Sequence, residues 1–119
     1  MKNTILILFF LLGMGTTIAQ TSCKEIMDFV TSQSYGSNYY SYSSDAIRQV
    51  TFYEVTDEDY NHYYFAVVQF IGSYKKYIYQ VGSNTELNYS MYYLNSAGKA
   101  FWKYIEPYND SLGCAPDFD

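Results

Sequence analysis

From Tyr63 to Val81 the chain reads YYFAVVQFIGSYKKYIYQV. Valine, isoleucine, phenylalanine and tyrosine fill both halves, and their branched or flat side chains suit a pleated surface while gaining little in a helix. Gly72 and Ser73 break the run, so the pattern predicts two strands joined as a β-hairpin. The first half is apolar at both parities, with Ala66, Val68 and Phe70 on one face and Phe65, Val67 and Ile71 on the other. A strand with one wet face alternates apolar with polar residues, so both faces of this sheet need cover. In the second half Tyr77, Tyr79 and Val81 share a face, opposite Lys76, Ile78 and Gln80.

Either side of the hairpin, the pattern supplies further elements. Ile47 to Val55 (IRQVTFYEV) predicts a third strand running into the acidic turn Thr56 to His62. Ser22 to Ser32 predicts a short amphipathic helix with Cys23, Ile26, Met27 and Val30 on one face and a capping box from Ser22 and Glu25. Between them, Gln33 to Ser44 (QSYGSNYYSYSS) has no stable period and is expected as a loop. After Gly82, a second capping box (Ser83, Glu86) precedes helical spacing at Leu87, Met91 and Leu94. Ser96-Ala97-Gly98 interrupts that helix, and a second one carries Phe101, Trp102 and Ile105 until Pro107 stops it. The expected fold class is α+β: a three-stranded antiparallel meander, two C-terminal helices on one face, and an added N-terminal helix.

The N-terminal segment changes the picture of where this fold is built. Lys2, the apolar run Ile5 to Leu12, and Thr17-Ile18-Ala19 have the order of a secretory signal, with cleavage expected between Ala19 and Gln20. The run is too short to cross a bilayer core of about 30 Å as a helix, so no stable membrane anchor is expected. The segments are then 1–19 as signal peptide, 20–43 as helix and loop, 44–106 as the central domain, and 107–119 as a C-terminal tail. Residues 20–119 suffice for one modest core. The expected location is secreted or periplasmic. There Cys23 and Cys114 are expected to pair, closing a loop of about 90 residues worth up to roughly 4–5 kcal/mol in the chain-entropy model.

Composition narrows the chemistry. The full chain carries 12 acidic against 7 basic residues, a net charge of −5, and one unit more acidic once Lys2 leaves. Phosphate backbones are held by clustered Lys and Arg, so nucleic acid is disfavoured except through a local basic patch. Asp57-x-Asp59-x-Asn61 has a calcium-loop spacing, but the sixth and twelfth positions are His62 and Val68 where glycine and a bidentate glutamate are required, so no metal site is expected. Acid–base or nucleophilic chemistry needs a positioned pair, and the chain offers one histidine in an acidic turn; no catalytic residues and no cofactor are expected. Tyrosine is the outlying residue, with 16 in the chain, more than a small core can bury with every hydroxyl satisfied. Tyr77 and Tyr79 present two rings side by side, either for stacking on a ligand or for filling the core beneath the C-terminal helices.

Ser44-x-x-Ile47-x-x-Val50-x-Phe52, then Tyr77-Ile78-Tyr79, then Ser96-x-Gly98-x-x-Phe101-x-x-x-Ile105 resemble, in that order, the KTSC domain. That family is named for a C-terminal extension of some lysyl-tRNA synthetases and also occurs as single bacterial domains. The resemblance covers Ser44 to Ile105 and implies a strand-strand-strand-helix unit guessed to bind RNA, with Lys99 and Lys103 as the basic residues of its last motif. The expected function is a small exported, non-catalytic binding domain for a protein, peptide or glycan. RNA binding or a structural, assembly role are the alternatives. The first outcome to check is processing: intact-mass measurement of exported protein should give a chain beginning at Gln20, and retention of Met1 would contradict it.

Overall fold

A computed structural model of the chain describes residues 19–116. The elements in order are α1 (Ala19–Gln33), β1 (Ser37–Tyr40), β2 (Ile47–Thr56), β3 (His62–Phe70), β4 (Lys76–Val81), α2 (Thr85–Tyr92), α3 (Ala97–Tyr104), a 3-10 turn (Glu106–Tyr108) and α4 (Asn109–Leu112). The class is α+β, as expected. Residues 1–19, expected from the sequence to be a signal peptide, lie outside the described residues except for Ala19.

The sheet has four strands, not three, in the order β1-β2-β3-β4 with every neighbour antiparallel. The added strand is β1, inside the stretch read as a loop. Its polar, glycine-containing sequence has no periodicity of its own, and β2 supplies its partner groups in the register Ser37↔Phe52 to Tyr40↔Gln49. Gly36 lets the chain come close enough, because a Cβ there would lie 2.2 Å from Thr51 Cγ2 and 2.8 Å from the Tyr53 ring. A register shift in β2 between Ile47 and Gln49 turns Ile47 onto the same face as Val50 and Phe52. Ser44 organises the approach to β2, its hydroxyl accepting from the Ala46 and Ile47 amides at 3.1 and 3.0 Å.

Both faces of the sheet are covered, as the two-parity pattern of β3 demands. On one side Val50, Phe52, Ala66, Val68, Tyr79 and Val81 pack with Tyr89 of α2 and Ala97, Ala100 and Phe101 of α3. On the other, Val55, Phe65, Val67 and Ile78 meet Ile26 and Val30 of α1 and Leu112 of α4. Each fully buried Val, Ile or Phe contributes about 1.5–3 kcal/mol relative to exposure. Ile71, expected on the second face, lies past the end of β3 and is exposed.

Four local expectations are corrected. The first helix is already formed at Ala19, so Ser22 lies within it and not at a cap. The box of Ser83 and Glu86 does not form: α2 starts at Thr85, whose hydroxyl accepts from the Gly82 amide at 3.0 Å, while Glu86 Oε2 accepts from Tyr39. The capping function lies one helix later, where Ser96 Oγ accepts from the Lys99 amide at 3.2 Å. Finally, Leu87, Met91 and Leu94 face outward at 62%, 61% and 78% exposure, and Thr85 and Tyr89 face in. Two stripes compete on α2, and the tyrosine stripe wins because a ring buries more apolar area than an aliphatic chain and docks between existing rings. Tyr89 sits 5.7 Å from Phe52, 6.0 Å from Tyr39 and 5.4 Å from Tyr93. Trp102 likewise stays exposed beside the buried Phe101.

Cys23 and Cys114 are joined, with Cα atoms 5.7 Å apart and 91 residues of separation. The bond ties α1 to the segment following α4, the two elements that together cover the second face. Replacing Cys114 with serine should therefore cost about 2–5 kcal/mol and lower the melting temperature by roughly 10 °C or more. Calorimetry of the oxidised protein and the variant checks this; an unchanged melting temperature would show the bond to be energetically idle.

Candidate functional site

The sequence singled out Tyr77, Tyr79, Lys99 and Lys103, and the structure separates the tyrosines from the lysines. Tyr79 is 1% exposed, edge-on to Phe101 at 5.7 Å. Burial, with the nearby Glu106 carboxylate, pushes its phenol well above the ordinary tyrosine range. A ring so placed belongs to the core and presents no face to a ligand. Tyr77 is half-buried against Phe70, at 5.9 Å, on the margin of the same cluster.

Lys99 and Lys103 are exposed one turn apart on α3, where they border a cleft of about 220 Å³ between α2 and α3. Tyr92, Asn95, Ser96, Ala100 and Tyr104 complete its lining. The Tyr92 and Tyr104 rings stack across it, with centroids 5.8 Å apart and planes at 21°. Lys103 Nζ lies 5.4 Å from the centre of the Tyr104 ring, a cation–π contact. Among the described residues neither lysine forms an ion pair. Local backbone geometry builds the cleft: the Ser96 cap restarts the helix after Asn95, bringing the end of α2 and the length of α3 side by side. The apolar ring faces can hold a ligand that offers a flat or apolar body, and the two cations on the rim add a salt-sensitive contact only to a ligand that also carries an anionic group. Sequence reasoning found the lysines through the family resemblance. It missed Tyr92 and Tyr104, which sit on different helices twelve residues apart, so no single periodicity links them.

The acidic turn is closed on itself. Asp57, 6% exposed, accepts from the Asp59 and Asn61 amides at 2.9 Å each, from Asn61 Nδ2 at 3.3 Å and from the Tyr63 hydroxyl at 3.2 Å. Tyr60 takes a left-handed conformation, φ 65°, to complete it. This carboxylate organises the β2–β3 turn with its own backbone donors, in place of the cation that the Asp-x-Asp-x-Asn spacing suggests. His62 lies beyond, exposed, 2.7 Å from Glu54 and 3.1 Å from the Thr56 hydroxyl, in a cross-strand pair at the sheet margin. Burial raises the Asp57 carboxyl, but the donors from Asn61, Asp59 and Tyr63 outweigh it and hold the group below the usual carboxylate range. A depressed folded value contributes stability that is present above the unfolded value of about 3.9 and is lost as pH falls through the folded one. Asp57→Asn should therefore melt below the wild type at neutral pH, with the gap closing as pH drops below about 4. A gap that is constant across that range would contradict the assignment.

No family model, curated protein or solved structure matches this chain, so the functional reading rests on the geometry of the cleft and on the residues that line it.

Proposed function

We propose that this chain is a small exported, non-catalytic binding domain of KTSC-like type that holds a protein, peptide or glycan in the cleft between α2 and α3. The observation that carries the reading is the stacked Tyr92–Tyr104 pair lying open beside Lys99 and Lys103. Tyrosine offers large, rigid contact area at low entropic cost, which suits recognition by a shallow surface. Export is supported by the disulfide, a bond that oxidising compartments sustain, and by the signal-like N-terminus. Among the described residues no helix is long and apolar enough to cross a membrane.

RNA is the second reading, favoured by the same two lysines standing next to rings that can stack on bases. The readings differ in their response to salt. Aromatic contact releases few counterions, whereas phosphate contact makes affinity fall steeply as salt rises. Arrays of peptides, glycans and RNA probed at low and high salt should give a ligand whose affinity is nearly salt-independent. That affinity should fall roughly two- to tenfold in Tyr92→Ala, a variant chosen because its ring is half-exposed and outside the core. Binding unaffected by Tyr92→Ala would overturn the cleft as the site. RNA binding that is steeply salt-dependent and lost in the double variant Lys99→Gln, Lys103→Gln would establish the second reading over the first.

A further inference from the structure

The sheet face that carries α1 and α4 is closed over only part of its length. The row Thr51, Val67 and Ile78 is buried, its apolar members under those two helices. The next row toward the β3–β4 turn is Tyr40, Gln49, Gln69 and Lys76, one residue from each strand, in the register Tyr40↔Gln49, Gln49↔Gln69 and Gln69↔Lys76. Directly paired residues point to one face, so these side chains stand side by side across about 14 Å of sheet, at roughly 4.8 Å per strand. Tyr40 and Lys76 are exposed, and the two glutamines are half-buried. Arg48, in the irregular step of β2 just before Gln49, lines two recesses that meet at its side chain. One, of about 220 Å³, lies toward Tyr40 and Tyr42; the other, of about 160 Å³, lies toward Gln69 and Tyr74. Rings stand at both ends of this groove: Tyr74 is 98% exposed, and Tyr42, 94% exposed, stacks on Tyr40 with centroids 6.0 Å apart.

The groups along the groove have a definite polarity. Gln49 Nε2 donates to Asn38 Oδ1 at 2.8 Å and to the Thr51 hydroxyl at 3.1 Å, and Gln69 Nε2 donates to the Ser73 carbonyl at 3.0 Å. These bonds fix both amides and leave each Oε1 without a protein donor among the described residues, so the floor offers acceptors. Arg48, Lys75 and Lys76 form no ion pair among the described residues. Segments 33–50 and 69–82, which build this end of the sheet, hold those three cations against the single carboxylate Asp45, in a chain of net charge −5. The acidic turn with Asp57, Glu58 and Asp59 lies past the other end of β2, a strand of ten residues and hence about 30 Å long. Screening at physiological salt acts over about 8 Å, so that distant acid does not cancel the local positive field.

We infer that this groove binds an acidic polysaccharide, a chain of sugar rings that carry carboxylates. Each part of the lining meets one part of such a ligand. The Arg48 guanidinium matches a carboxylate with two parallel bonds, and Lys75 and Lys76 extend the positive field toward β4. The unpaired glutamine oxygens accept from ring hydroxyls, and the exposed tyrosine rings lie against the apolar faces of the sugars. A nucleic acid strand would meet the cations and the rings, but its sugars carry fewer free hydroxyls than those of a polysaccharide, and the two amide oxygens call for donors. The groove lies on the opposite face of the sheet from α2 and α3, so the inference stands apart from the use proposed for their cleft.

Biolayer interferometry of the disulfide-bonded protein over immobilised polygalacturonate, its methyl ester, dextran and single-stranded RNA tests it. Polygalacturonate should bind most tightly, with an affinity that weakens as salt rises, and its methyl ester and dextran should bind far less. Affinity should fall roughly tenfold or more in Arg48→Gln and in the double variant Lys75→Gln, Lys76→Gln, each with unchanged far-ultraviolet circular dichroism. Lys24→Gln, which removes one charge from α1, should bind as the wild type does. Absence of polygalacturonate binding at low salt would overturn the proposal, as would equal binding of the methyl ester, or full affinity in both folded groove variants. Binding lost instead in Lys99→Gln, Lys103→Gln would move the acidic glycan to the α2–α3 cleft. RNA bound more tightly than polygalacturonate, through Arg48, would replace the polysaccharide with a nucleic acid.

Discussion

A strand with apolar side chains at both parities cannot rest on a single layer, and β3 is such a strand. Phe65, Ala66, Val67 and Val68 are consecutive and all buried, so water must be kept from both sides of the sheet at once. The rest of the molecule answers that demand. α2 and α3 follow directly from β4 and cover one face through local sequence. The other face is covered by α1 and α4, elements far apart in the sequence, and the Cys23–Cys114 bond joins α1 to the segment that follows α4. The oxidising environment that such a bond requires is therefore tied to the architecture itself.

Cover on the first face is built from rings. Tyr39, Phe52, Tyr89 and Tyr93 form one group of contacts, and Phe70, Tyr77, Tyr79 and Phe101 another, so α2 and α3 are fixed to the sheet mainly through aromatic edges and faces. Investing tyrosine in the core leaves the aliphatic stripe Leu87, Met91 and Leu94 outside, and it places Tyr92 at the helix margin where it meets Tyr104. The cleft is thus a by-product of how α2 is oriented, and its lysines come from the next helix.

The hairpin, the strand before it, the flanking helices and the disulfide are legible in the sequence because each has a strong local signal: β-branched runs, 3.6-residue spacing, an even cysteine count in a chain with a leader-like start. Three features are not. β1 has no pattern of its own, and its strand conformation comes from β2 and the close approach at Gly36. The orientation of α2 turns on tyrosine, which hydropathy treats as ambivalent, so Leu87, Met91 and Leu94 read as the buried side when Tyr89 occupies it. The candidate site is half-legible for the same reason: Lys99 and Lys103 stand in a motif, whereas Tyr92 and Tyr104 meet only in three dimensions.

Ultraviolet titration of tyrosinate alongside circular dichroism measures directly how far tyrosine rings hold the sheet and its helical cover together. Burial pushes the Tyr89 phenol up to about 12. Tyr39 is pushed to about 12 by burial and by its bond to Glu86. A raised folded value contributes stability that is complete below the unfolded value of about 10 and is lost as pH climbs toward the folded one. A late class of tyrosines should ionise well above pH 10, together with loss of the native spectrum. Ionisation of every tyrosine in a single step near pH 10, with the native spectrum intact, would contradict it.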